Sequence, residues 1–75
     1  MSDITDYENL ANAIILQAVK DYRVALKCLK ANPRNRTAAA DKGEIERFFH
    51  SRWFTVLTSV DGEMLIRSLN EEVDA

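Results

Sequence analysis

Between Thr5 and Ala31 the apolar and polar positions alternate with a helical period. At 100° per residue, Tyr7, Ala11, Ile14, Ile15, Ala18, Tyr22, Ala25, Leu26 and Leu29 fall on one broad apolar face. Asn9, Asn12, Lys20, Arg23, Lys27 and Lys30 gather on the opposite side. Thr5 with Glu8 three residues later is a capping-box pattern, and Asp6 places a negative charge near the positive pole of a helix. At the other end Lys27 and Lys30 suit the negative pole. Asn32-Pro33 then stops propagation, because the residue before proline is pushed out of the α region. The spacing predicts a single helix over residues 5–31, about seven turns and roughly 40 Å long. That exceeds what a 75-residue globule needs, so the remaining chain is expected to fold back along it.

Downstream, residues 32–36 (NPRNR) contain no apolar side chain and read as a turn. A second helix is expected over about 37–50, with Thr37 as its cap and Ala38, Ile45, Phe48 and Phe49 as its apolar positions. Gly43 lies inside it at a cost of about 1 kcal/mol against alanine. It marks either the true start of that helix or the close approach of another backbone. Ser51 is a cap for a short helix over 52–58, and Asp61 for a fourth over 62–72, leaving Val73–Ala75 to fray. Only residues 56–60 suggest a strand, and that run is too short to build a sheet alone. The expected fold class is all-α: one domain over 1–75, with one long N-terminal helix and two to three shorter helices folded against it. Ile45, Phe48, Phe49, Trp53, Leu57, Leu65 and Leu69 are expected to lie on the long helix. The doublets Phe48-Phe49 and Trp53-Phe54 cannot both point inward from a helix, so one member of each is left for the surface or for a contact between chains.

Composition narrows the chemistry. One domain of this size sits near the lower limit for a self-sufficient core, which makes self-association a reasonable source of added stability. Cys28 is the only cysteine, so no intrachain disulfide is available and a reducing compartment fits. It reads as a small apolar filler rather than a nucleophile. The first residues are acidic and polar, unlike a signal peptide. No apolar run approaches the ~20 residues of a membrane span. A soluble, cytoplasmic protein without membrane contact is expected.

The chain offers little to catalysis. His50 is its only histidine, and neither His-x-x-x-His nor Cys-x-x-Cys spacing occurs. Ser51 and Ser59 lie near His50, yet no nucleophile elbow frames either of them. Glu44 and Glu46 point to different faces of one helix, and Gly62 alone makes no phosphate loop. No enzymatic activity, metal or cofactor is expected.

Charge is unevenly spread. The net value of −2 comes from ten basic and twelve acidic side chains. Residues 20–36 hold six of the ten cations (Lys20, Arg23, Lys27, Lys30, Arg34 and Arg36) against the single acid Asp21. These six form the candidate binding stripe, four of them along one line of the long helix. They suit phosphates, an anionic nucleotide held between subunits, or an acidic protein surface; a merely solvated face is the alternative. No aromatic residue interleaves the stripe, which argues against base stacking. RWFTVLT after Ser51 is too apolar for a recognition helix. The acidic remainder offers the opposite use, a negative face competing for a nucleic-acid groove on another protein. Leu16 lies on the polar side of the long helix, either as a lone exposed leucine or as a contact in a homo-oligomer.

The run EIERFFHSRWFTVLTSVDGEMLIRSL (Glu44 to Leu69), preceded by LANAIILQAVKDYRVALK, resembles a group of small phage and mobile-element proteins of Gram-positive bacteria. The matching features are an AxxLQAVKDYR-like helix, an FFxSxWFxxLT segment and DGExLI, together covering most of the chain. The resemblance implies a setting in a bacterial host cell, and it transfers no functional residue. Small soluble phage-type proteins without catalytic constellations often bind and block host machinery, including CRISPR effectors, or assist phage DNA metabolism. The leading expectation is therefore a stoichiometric binder of a host protein or protein–nucleic-acid complex. A DNA-associated accessory protein is the alternative.

Overall fold

The computed structural model describes residues 4–74, with side chains from residue 6 onward. Four helices follow in order: α1 (Ile4–Ala31), α2 (Arg36–Phe49), α3 (Arg52–Leu57) and α4 (Gly62–Asp74). No strand occurs among the described residues. The fold is all-α, with a long first helix and shorter ones packed against it, as the periodicity indicates. The Thr5 half of the expected capping box lies outside the described side chains. Among the described residues, no helix is long and apolar enough to cross a membrane.

Side-chain caps set most of the boundaries. After α1, Asn32 N–H still donates to Cys28 O (2.8 Å), and the Asn32 side chain then accepts from Arg34 N–H (3.1 Å). α2 starts one residue earlier than the sequence suggests and is capped by Asn35, not Thr37. Asn35 has extended backbone angles, and its Oδ1 accepts from Ala38 N–H at 3.0 Å. Asparagine is the better N-cap of the two, so it captures the helix start first. Ser51 caps α3 as expected, accepting from Phe54 N–H (3.1 Å) and donating to Phe48 O (2.7 Å). α3 stops at Leu57, because Thr58 is extended. Asp61 caps α4 by accepting from Glu63 N–H at 2.9 Å. α4 runs on to Asp74, past the expected end at 72, since Val73 packs on the core and its carbonyl accepts from Lys30 Nζ at 2.8 Å. Ala75 lies outside the described residues.

α2 returns antiparallel to α1, bringing Phe49 against Tyr22. α4 reverses again: it begins where Gly62 abuts the Phe49 backbone and ends beside Arg23 and Lys30. Its direction is thus parallel to α1. Tyr22, Leu26, Phe49, Phe54 and Leu69 form the buried core, with Ile15, Ala18, Val19, Phe48 and Leu65 packed around it. Phe48, Phe49 and Phe54 meet mostly edge to face, with ring centroids 5.5 to 5.8 Å apart. That geometry suits the quadrupoles of the rings.

Two expectations about the core need correction. Trp53 is 58% exposed and Phe54 takes the inward position. Ser51 fixes the start of α3, and that phase turns the second member of the doublet toward Phe48 and Phe49. Tyr7, on the apolar face of α1, is also exposed. Its turn lies beyond the stretch that α2 and α4 cover, where the packed positions begin at Ile15. α1 alone, at about 42 Å for 28 residues, sets the long dimension of a molecule measuring 47 × 21 × 21 Å.

Candidate binding surfaces

α1 carries the basic stripe past the end of α4, and the two interact. Arg23 makes a two-pronged pair with Glu72, Nε to Oε2 at 2.6 Å and Nη2 to Oε1 at 3.1 Å. The Arg23 guanidinium, with Lys27 adding its field, holds the Glu72 carboxyl below its usual range. Glu72 in turn raises the Arg23 pKa. Lys30 donates to the last turn of α4, where unsatisfied carbonyls favour a cation. These side chains and Lys27 border a shallow hollow of about 710 Å³. Lys20, Lys27, Arg34 and Arg36 are solvent-exposed, the last two at the turn and at the start of α2. Two members of the line, Arg23 and Lys30, are therefore engaged in holding α4 to α1. Leu16, 67% exposed, stands on the outer surface of α1.

A polar network absent from the sequence reading lies at the centre of the bundle. Tyr22 is fully buried, and its hydroxyl donates to Glu46 Oε2 at 2.6 Å while accepting from Asn70 Nδ2 at 2.9 Å. Glu46 also accepts from Lys42 Nζ at 2.8 Å, and Asn70 donates to Ile66 O at 2.8 Å. One hydroxyl thereby ties α1, α2 and α4 together. Burial, reinforced by the Glu46 hydrogen bond, pushes the Tyr22 pKa up to about 12. For Glu46 burial acts upward, but the hydrogen bonds from Lys42 and Tyr22 outweigh it and hold the carboxyl below its usual value. The one available signal was that a tyrosine in the middle of an apolar face needs a partner for its hydroxyl. Nothing in the spacing named Glu46 or Asn70.

The opposite flank of α1 is open. A groove between α1 and α2 has one part of about 530 Å³ lined by Ala13, Ile14, Gln17, Ala18, Asp21, Glu44, Ile45 and Phe48. A second part, about 410 Å³, continues past Val24, Ala25 and Cys28 to Ala38 and Asp41. The parts share Asp21, Glu44 and Ile45. Cys28 is half-buried at this wall. Sequence reasoning placed Ile14 and Ile45 in the core without revealing that part of the seam between their helices stays uncovered.

The residues weighed for catalysis are spread out. His50 Nε2 lies 2.7 Å from Glu63 Oε2 on the exposed rim. Ser51 Oγ is occupied by its two capping bonds, and Glu44 and Glu46 face different surroundings. Among the described residues, no three His, Cys, Asp or Glu side chains converge as a metal-holding group. Comparison with protein-family models, curated proteins and solved structures returns no match to this chain.

Proposed function

We propose that this chain is a non-enzymatic binding protein that acts stoichiometrically on a host protein or protein–nucleic-acid complex, in the manner of a counter-defence inhibitor such as an anti-CRISPR protein. The observation that supports this reading is apolar surface left over after the core is complete. Leu10, Leu16, Trp53, Val56 and Met64 are all more than half exposed. No buried side-chain polar atom among the described residues lacks a hydrogen-bond partner. A 75-residue protein gains nothing in stability from such side chains in water. A partner surface can bury them. The phage-like FFxSxWFxxLT and DGExLI segments supply the setting.

Binding of DNA or an anionic nucleotide through Lys20, Arg23, Lys27, Lys30, Arg34 and Arg36 is the weaker reading, because Arg23 and Lys30 bond to α4. Charge-driven nucleic-acid contact would show as a gel shift that weakens steeply with salt. Self-association, motivated by Leu16 and the surplus aromatics, is a separate proposal, and a monomer by light scattering at high concentration would refute it. The deciding experiment is affinity capture from a Gram-positive bacterial lysate, with mass-spectrometric identification. One partner recovered in fixed ratio, and retained less by a Trp53→Ala/Met64→Ala variant, is the expected result. Recovery of no specific partner would overturn the proposal.

A further inference from the structure

We propose that the open groove between α1 and α2 docks a basic amphipathic helix of the partner protein. This rests on reading the chain as a binding protein and goes further by naming the surface and the chemistry of its occupant. The floor is apolar, built from Ile14, Ala18, Ile45 and Phe48. Asp21, Asp41 and Glu44 stand around it, and no lysine or arginine is among the lining residues of either part. An oily floor whose charged lining residues are all acidic complements a helix that carries leucine-like side chains on one stripe and lysine or arginine beside it.

The dimensions agree. From Ala13 to Cys28 the α1 wall runs about 22 Å, room for roughly four turns of a second helix. Ala13, Gln17, Asp21, Val24 and Cys28 recur every three or four residues along that wall, the spacing at which one helix meets another. Small side chains at Ala13 and Ala18 permit a close approach. α4 fills the other side of the α1/α2 pair, so an incoming helix would form a four-helix grouping with α1, α2 and α4, the short α3 not counted. Two other occupants fit less well. Phosphate-rich nucleic acid is repelled by the border. A second copy of this chain could offer its basic flank, but there Leu16 is a lone leucine, and the exposed Tyr7 and Leu10 lie beside Glu8 and Met64 beside Glu63.

The test uses the 75-residue chain and a fluorescent leucine/lysine peptide of about sixteen residues, amphipathic as a helix. Fluorescence anisotropy is expected to show saturable one-to-one binding. Affinity should fall about tenfold or more in Asp41→Lys/Glu44→Lys, and similarly in Ala13→Arg, which places bulk and positive charge in the groove. All three positions are exposed, so circular dichroism should report unchanged helicity. Ser68→Arg, exposed on α4 and outside both parts of the groove, should bind as wild type does. The proposal is overturned if the peptide does not bind, if a leucine/glutamate peptide binds equally well, or if the groove variants bind unchanged. It is also overturned if wild type is a dimer that Ala13→Arg converts to monomer, because the groove would then be a self-interface. A captured partner that photo-crosslinks to a probe at Trp53 but not at Val24 would leave the binding function standing and remove the groove.

Discussion

Tyr22 shows how one side chain can join three helices. Its ring fills the core and its hydroxyl is held by Glu46 and Asn70. Removing only the oxygen, as in Tyr22→Phe, should cost about 1–3 kcal/mol in urea unfolding, the usual range for losing a buried hydrogen-bonded group. The pH dependence has a definite sign. The unfolded tyrosine releases its proton near 10.0, while the folded one holds it to about 12. The unfolded state therefore binds fewer protons in that window. The stability is complete below about 10 and is lost as pH rises toward 12. Glu46 acts at the other end: its folded pKa is depressed, so its contribution is present above the ordinary carboxylate value and is lost as pH falls through the folded one. In Tyr22→Phe the alkaline loss between 10 and 12 should shrink, and an unchanged profile would rule this account out.

The two glycines make an opposite pair. Gly43 sits mid-helix with open space where a Cβ would point, so Gly43→Ala should raise stability by about 1 kcal/mol through helix propensity alone. Gly62 is different. A methyl group there would overlap the Phe49 carbonyl, and Gly62→Ala should lower the melting temperature by separating the start of α4 from the end of α2. The sequence offered close backbone approach as one of two readings of Gly43, the other being the true start of α2. The structure puts that approach at Gly62, because proximity between two chain segments is a tertiary fact that helical period does not encode.

Among the elements, α3 is the most dependent on one side chain. Six residues cannot sustain a helix by backbone hydrogen bonding alone, so the burial of Phe54 and the Ser51 cap hold it in place. Phe54→Ala should cost about 3–5 kcal/mol, whereas Trp53→Ala, at an exposed position, should change stability by no more than about 0.5 kcal/mol. Chemical denaturation of both variants measures the contrast, and comparable losses would mean that Trp53 is packed after all. α1 was legible almost to the residue because period, end charges and the Asn-Pro stop coincide. The starts of α3 and α4 were legible from Ser51 and Asp61. The start of α2 was not, because Asn35 and Thr37 are both acceptable caps, though the stronger preference for asparagine already favours Asn35 over threonine. Sequence also indicated that one aromatic of each doublet must face outward. That holds for Trp53-Phe54, where the cap sets the phase, but not for Phe48-Phe49, whose rings both pack in the core.

At the scale of the whole molecule, charge and shape are both asymmetric. α4 meets the cations of α1 with Glu72 and with its carbonyl end, while the other flank of α1 opens onto Asp21, Asp41 and Glu44. The stripe was legible as a line of charge. Its attachment to α4 was not, because the partners Glu72 and Val73 lie more than forty positions away along the chain. Shape leads to the last prediction. α1 is one helix, yet the residues packed against the core start at Ile15, and every described side chain from Asp6 to Leu10 is exposed. The early turns thus have backbone hydrogen bonds but little apolar burial, and isolated helices of that length are marginal in water. Amide hydrogen exchange should therefore divide one continuous helix into two regimes. Amides of residues 8–10, before the buried Ala11, should open at a small fraction of the global unfolding free energy, and those around Tyr22 and Leu26 only by global unfolding. A saturating partner that covers this end of α1 should slow the first group and leave the second nearly unchanged. Uniform protection along α1 in the isolated monomer would show that its first turns gain stability from contacts other than those of the bundle described above.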